Sequence, residues 1–238
     1  MAANEADIKI WGLGVGPGDP ELITLKALRI LQAADVIAYP APDGADSLVR
    51  AIAATHMPVG AEEMIISTPM VTERHPAQNA YDEAAGQIDE HARAGKTIAI
   101  LCEGDPFFYG SFMYLYSRLS ENWRVGVVPG VSSLNAGAAE LGVPLAERND
   151  VVSVIPATLD EADLAERLAA ADAAVIIKVG RHLDKVRRVL GDLGITDKAH
   201  YIEHATMANQ RIAPLTEAGP KAPYFSMVVV HKRGEAWR

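Results

Sequence analysis

The chain predicts an α/β fold built around a largely parallel sheet, and three observations carry that prediction. Short runs rich in β-branched residues alternate with helical patterns through the first half. Three of those runs end directly in a glycine-bearing turn. With 238 residues, of which 49% are apolar and 22% charged, the chain is long enough to bury a sizeable core as one large domain or two modest ones.

Each element follows from the local pattern. IKIWGL (8–13) reads as a strand, and ELITLKALRILQAA (21–34) places Leu22, Leu25, Leu28 and Leu31 at helical spacing. DVIAYP (35–40) is a second strand, closed by Pro40 and Pro42. A short helix over 47–54 and a strand at MIIS (64–67) come next. A polar-faced helix over 77–94 then stops at Gly95. TIAILC (97–102) is an apolar strand, followed by a helix over about 110–119 and a strand in WRVGVVPG (123–130). The second half opens with the Ala-rich helix SSLNAGAAELG (132–142). Strands are expected at 151–157, 173–180, 199–205 and 225–232, with helices at about 160–170 and 182–192. The last two strands are joined by NQRIAPLTEAGPKAP, which has no helical pattern, so that end of the sheet is expected to be antiparallel. A boundary between two α/β domains is expected near Arg124–Pro129, giving 1–125 and 126–238.

Charge and cysteine content exclude several classes. A formal net charge of −9 argues against nucleic acid or an anionic membrane as a general partner. The single cysteine, Cys102, rules out an intrachain disulfide and fits a reducing cytoplasm. MAANEADIKIWGLG lacks the basic stretch and apolar core of a secretory signal. No apolar run reaches the roughly 18 residues of a membrane span. A cytoplasmic protein is expected.

GLGVGPGDPELITLKAL (12–28) invites a dinucleotide-binding reading and fails it. From Gly12 the G-x-G-x-x-G pattern needs glycine where Pro17 stands, and from Gly14 where Asp19 stands. No G-K-[ST] of a P-loop is present either. The turn is then either only a turn, or bare backbone at a strand end that a ligand can approach closely. Gly104-Asp105-Pro106 offers a similar surface, with Asp105 either a helix cap or a ligand acceptor. Phe107, Phe108 and Tyr109 cannot all face inward, so at least one is expected to line a cleft. In VVPGVSS (127–133), Ser132 and Ser133 stand at a helix N-terminus, where free N–H groups suit a carboxylate or hydroxyl.

Other candidates carry less. His200 and His204 have no third ligand, so no metal is expected. Cys102 lacks a nearby base and reads as a small core residue. Ser111, Ser132 and Ser133 lack the G-x-S-x-G elbow of hydrolases. Arg181–His182 and Arg187–Arg188 read as solvated helix faces.

Beyond these spacings, the chain resembles the tetrapyrrole (class III) methylases, which use S-adenosylmethionine, from about Ile8 to His231. GLGVGPGDPELITLKALRILQAADVIAY (12–39), EGDPFFYG (103–110), VPGVSS (128–133), IIKVGR (176–181) and IEHATMANQRI (202–212) carry the resemblance. Within the family, ADVIAYPAPDG (34–44), LCEGDPFFYGSFMYLYSRL (101–119) and VIPATLDEADL (154–164) look like the branch that methylates the C-20 meso carbon of precorrin-2. A cobalt-containing substrate, or another ring position, is the alternative.

The resemblance implies two α/β domains with a cleft between them, a homodimer, and S-adenosyl-L-methionine as methyl donor, leaving as S-adenosyl-L-homocysteine. It implies cofactor contacts at Gly104, Asp105, Pro106, Phe108, Ser132, Ser133, Val179, Ala205, Thr206 and Phe225, with Gly16 and Pro17 on the tetrapyrrole side. Asp105, Glu103 and Tyr109 are the catalytic candidates for steering the tautomer or removing the displaced meso proton. The substrate's carboxylates call for a local basic rim, for which Arg74, His75, Arg148, Arg181 and Arg211 are available. A dinucleotide-dependent oxidoreductase and a non-catalytic tetrapyrrole carrier are the rival classes.

Overall fold

A computed structural model describes residues 5–42, 44–68 and 74–233. The chain divides into two compact units, Met1–Ser132 and Ser133–Arg238.

The first unit holds a five-stranded sheet of β1 (Ile10–Gly14), β2 (Val36–Pro42), β3 (Glu62–Thr68), β4 (Ile98–Cys102) and β5 (Val125–Val128), in the order β3-β2-β4-β1-β5. Every pair in it is parallel. Helices α1 (Leu25–Gln32) and α2 (Leu48–Ala53) supply one core, with Leu13, Ile37, Ala99 and Leu101 from the strands. Helices α3 (Arg74–Arg93) and α4 (Phe112–Leu119) supply the other, with Ile10, Val36, Ala38, Ile98 and Ile100. Successive strand residues thus serve opposite cores, which is why TIAIL is apolar throughout and does not alternate.

Two boundaries differ from expectation. Thr24 caps α1 by accepting a hydrogen bond from the Ala27 N–H at 3.2 Å, so the helix starts at Leu25 and not at 21. Its buried face is Ala27, Ile30 and Leu31, while Leu25 is 84% exposed. The leucine spacing therefore holds at Leu28 and Leu31, which join that core, and fails at Leu25. Strand β5 pairs with β1, from Ile10↔Val125 to Leu13↔Val128, so the first unit keeps residues 125–132. A cut at 125/126 would strip the sheet of an edge strand.

The second unit has the order β6-β7-β10-β8-β9, from β6 (Val152–Pro156), β7 (Ala173–Ile177), β8 (Ala199–Glu203), β9 (Arg211–Pro214) and β10 (Ser226–His231). Only β6 and β7 are parallel; β10 runs antiparallel to both β7 and β8, and β9 antiparallel to β8. Helices α6 (Glu161–Ala170) and α7 (Leu183–Asp192) cover one face, with Ile176, Tyr201 and Val228 beneath them. Helix α5 (Ser133–Leu141) brings Leu134 to the other, against Val175, Ile202 and Met227. Asp160 caps α6 through the Asp163 N–H at 2.9 Å. Strand β9 falls inside the connection expected only to lack a helix. No helix of the described residues is long and apolar enough to cross a membrane.

Candidate functional site

In the first sheet the connections leaving β1 and β4 run in opposite directions, one toward β2 and the other toward β5. Such a reversal opens a crevice at the carboxyl ends of the two strands. All three predicted turns stand there. The Gly14–Gly18 turn and the Glu103–Pro106 turn are joined by a bridge in which the Gly104 N–H donates to the Gly16 carbonyl at 2.8 Å and the Gly16 N–H to the Gly104 carbonyl at 3.4 Å. The third turn is tied in by Asp105, whose Oδ2 accepts from the Gly130 N–H at 3.1 Å while Oδ1 accepts from the Phe107 N–H at 2.9 Å.

The packing among the turns is backbone on backbone. A Cβ on Gly14 would sit 2.5 Å from the Gly130 nitrogen and 2.6 Å from the Gly104 oxygen, distances no side chain tolerates. Gly104 itself has φ +60°, and the nearest atom a Cβ would meet there, the Val131 oxygen, is 3.8 Å away. Gly14 and Gly130 are therefore fixed by packing, and Gly104 by its backbone conformation.

Sequence reasoning left Asp105 as helix cap or ligand acceptor, and the geometry gives it a different task. Helix α4 begins seven residues beyond it, and its carboxylate holds two turns together. Gly16, Pro17 and Pro106 are buried. Phe107, Phe108 and Tyr109 remain 49%, 40% and 48% exposed, so all three face outward in part. Phe107 leans edge-on against Tyr116 at 5.0 Å, and Phe108 against Tyr109 at 5.1 Å. Tyr109 sits at φ +56°, a conformation that bulky side chains avoid and that gathers at functional sites.

Below this edge a pocket of about 360 Å³, its open mouth included, is bounded by Pro40, Tyr81, Glu103, Ser111 and Phe112. Glu103 remains exposed, yet protein atoms crowd its carboxyl, and this desolvation raises its pKa. The water contact it keeps limits the size of that effect. Burial likewise pushes the Tyr81 phenol up. Cys102 is buried, its thiol raised well above the usual range by desolvation, as a core residue would be.

The second unit gathers its predicted residues at one sheet edge too. Strands β7 and β8 both run antiparallel to β10 between them, so the ends of β7 and β8 meet the start of β10. Val179, Ala205, Thr206 and Phe225 all stand at that edge. The His204 N–H donates to the Phe225 carbonyl at 2.7 Å. Val179 is fully buried among the α7 core residues, so its side chain packs inward. Phe225 is 38% exposed. Lys178, His204 and Thr206 take φ of +57°, +49° and +67°. The sequence does not mark these three conformations, because none of the three positions is a glycine; Thr206 was named only through the family resemblance, and Lys178 not at all. Ser132 closes the first unit and Ser133 opens α5 in the second.

The basic candidates are partly engaged. Arg211 donates to Glu203 Oε1 at 3.0 Å and Arg148 pairs with Glu147 at 3.2 Å. Arg181 Nε donates to His182 Nε2 at 3.5 Å. The side chains of Arg74 and His75 lie outside the described residues. Among the described residues no group of three or more His, Cys, Asp or Glu is placed to hold a metal ion.

The turns Gly14–Gly18, Gly104–Gly110 and Gly130–Ser132 contain no lysine or arginine, and Glu103, Asp105 and Asp19 stand in or beside them. Fold and site thus define an α/β protein whose strand-end turns favour a neutral or cationic small ligand over a phosphate. The chain belongs to the tetrapyrrole (corrin/porphyrin) methylases, whose family profile matches residues 9–219. It is 42% identical to a precorrin-2 C(20)-methyltransferase of a Sinorhizobium species over 93% of this chain and 94% of that one. It is 40% identical to the cobalamin biosynthesis protein CobIJ of Mycobacterium tuberculosis over 93% of its own length, and spans only 45% of that longer relative. The solved uroporphyrin-III C-methyl transferase of Thermus thermophilus, complexed with S-adenosyl homocysteine, superposes with a TM-score of 0.68 at 26% identity, covering 94% of this chain and 92% of that one.

Proposed function

We propose that the protein is a C-methyltransferase that moves a methyl group from S-adenosylmethionine to the C-20 meso carbon of precorrin-2, giving precorrin-3A in the corrin pathway. The observation that carries this reading is the 42% identity to a precorrin-2 C(20)-methyltransferase across nearly the whole of both chains. The strand-end chemistry supports it. Turns with carboxylates and no cation suit a sulfonium, whereas a pyrophosphate would be repelled. That same charge pattern argues against the dinucleotide reading.

S-adenosylmethionine supplies an electrophilic methyl group, so the protein's part is to bind, orient and keep water out. In the first unit Gly104, Pro106 and Phe108 are the proposed donor contacts, with Asp105 holding their turn against Gly130. In the second, Ala205, Thr206, Phe225 and the Val179 backbone are proposed as donor contacts, and Ser132 of the first unit and Ser133 are proposed for the donor's polar groups. Gly16 and Pro17 are buried, so their proposed role toward the tetrapyrrole is to set the shape of the first turn. The methyl carbon bonds to the meso carbon as its bond to sulfur breaks, and the meso proton must leave. Glu103 is the better candidate to take it: its pKa is raised by desolvation, while both Asp105 oxygens already accept backbone amides. Tyr109 is the second group proposed to steer that proton. A cytoplasmic homodimer is part of the same proposal, checked by light scattering on the purified protein.

Mass spectrometry of the product from precorrin-2 tests the reading: one added methyl, located at C-20, is expected. Label transferred only to a cobalt-containing substrate would move the protein to the anaerobic counterpart. Binding without transfer would make it a carrier. Asp105→Asn offers a further check, because the amide has one acceptor oxygen where the carboxylate has two. A destabilisation of about 1–3 kcal/mol in chemical denaturation is expected from the amide left unmatched. Turnover at saturating donor should stay within about tenfold of the parent, because proton-transfer help alone is worth about a hundredfold or more. A loss beyond a hundredfold with intact donor binding would return the proton role to Asp105.

A further inference from the structure

In the second unit the loop His204–Gln210 joins β8 to β9, closed by the antiparallel register Glu203↔Arg211. Two of its residues, His204 and Thr206, lie in the left-handed region, and for a β-branched threonine a φ of +67° is a genuine outlier. Something has to hold that conformation. The Thr206 N–H donates to the Gln210 side-chain oxygen at 2.5 Å, and the Gln210 amide nitrogen donates in turn to Glu140 Oε2 at 2.7 Å.

Glu140 stands in the last turn of α5, where a carboxylate opposes the helix dipole and adds nothing to the helix. Its hydrogen bond fixes which way the Gln210 amide points. With that orientation set, the oxygen faces Thr206 and cannot be exchanged for the NH2 group by a flip. We infer that Gln210, oriented by Glu140, is a positioning residue that pre-forms the Thr206 loop for the methyl donor. This inference rests on the reading of that edge as donor-binding. It adds a relay that neither the glycine motifs nor the comparisons assign.

An unclamped loop would have to be ordered at each binding event, so affinity falls while the chemical step is spared. Titration calorimetry with S-adenosylhomocysteine reads this directly. The parent protein should give heat. Gln210→Ala should bind about three- to tenfold more weakly, the worth of one hydrogen bond in an equilibrium constant. Its KM for the donor should rise accordingly, with kcat within about twofold.

Gln210→Glu keeps an acceptor for Thr206 but sets a carboxylate against Glu140, so it should bind weakly as well. Combining it with Glu140→Gln reverses donor and acceptor and should restore binding. Hydrogen exchange at the Thr206 amide reports the clamp without any ligand, and should be faster in Gln210→Ala than in the parent. Equal affinity in parent and Gln210→Ala, or no rescue in the paired exchange, overturns the inference while leaving the donor site standing. Absence of heat in the parent, with Thr206 exchange still slowed by Gln210, removes the donor reading and with it the positioning role.

Discussion

The two units present their strand ends by opposite means. In the first, the turns after β1, β4 and β5 touch through bare backbone, and Gly14 and Gly130 are irreplaceable because there is no room for a Cβ. In the second, the loops after β7 and β8 take left-handed conformations at Lys178, His204 and Thr206, none of which is buried and whose backbones are strained. Close approach demands glycine. Strain only demands a restraint, such as the amide of Gln210 or the Phe225 carbonyl that accepts from His204.

Substitution at the tightest point should break this comparison most visibly. Gly130→Ala would place a methyl against the Gly104 carbonyl oxygen and 2.8 Å from the Gly14 Cα, with backbone on both sides and nothing able to rotate away. A loss above about 4 kcal/mol, read as poor soluble yield and an early denaturation midpoint, is expected. A well-folded Gly130→Ala protein would mean that the turns are looser than this packing requires.

The second unit should answer the opposite way. His204→Gly relieves a strain of about 1–2 kcal/mol and gives up backbone entropy together with a ring contact to Phe225. Stability within about 1 kcal/mol of the parent is expected, on either side of zero. A collapse on the scale of Gly130→Ala would show that the left-handed loops depend on their side chains as much as the first unit depends on lacking them.

The smallest effect concerns charge at the first edge. The folded-state pKa of Glu103 lies above the ordinary 4.5, so its ionised form is the one that folding disfavours. That cost is absent below the ordinary value and complete above the raised one, so stability falls as pH rises through the interval. Glu103→Gln should remove this part of the slope. Thermal midpoints of both proteins from pH 4 to 7 would show the curves converging on the acid side. Parallel curves would mean that the carboxyl is as well hydrated as an ordinary surface group.

How much could be seen in the sequence follows the same division. The first edge was legible because glycine marks the places where a Cβ cannot fit, and strand ends are marked by β-branched runs. The second edge was legible only through family resemblance, since Thr206 or Lys178 in a left-handed conformation looks like any other residue. Strand β9 was missed because Arg211, Ile212 and Pro214 are exposed and carry no alternation, and an edge strand needs only one partner. Asp105 read as a cap or ligand group because its partner, Gly130, is 25 positions away. The helical spacing of Leu22 to Leu31 misplaced α1 because Thr24 sets its start, and the true face includes the small Ala27.

One consequence of the first sheet concerns its order of assembly on the ribosome. Strand β1 is made first, yet its two neighbours are β4 and β5, and β5 ends only at Val128. At roughly 5–20 residues per second, the nascent segment Ile10–Gly14 waits about ten seconds for β5, with both edges unpaired until β4 ends at Cys102 and one edge unpaired after that. Limited proteolysis of stalled chains should find it protected only once residues past Val128 have emerged, so chaperone demand during synthesis should peak just before that point.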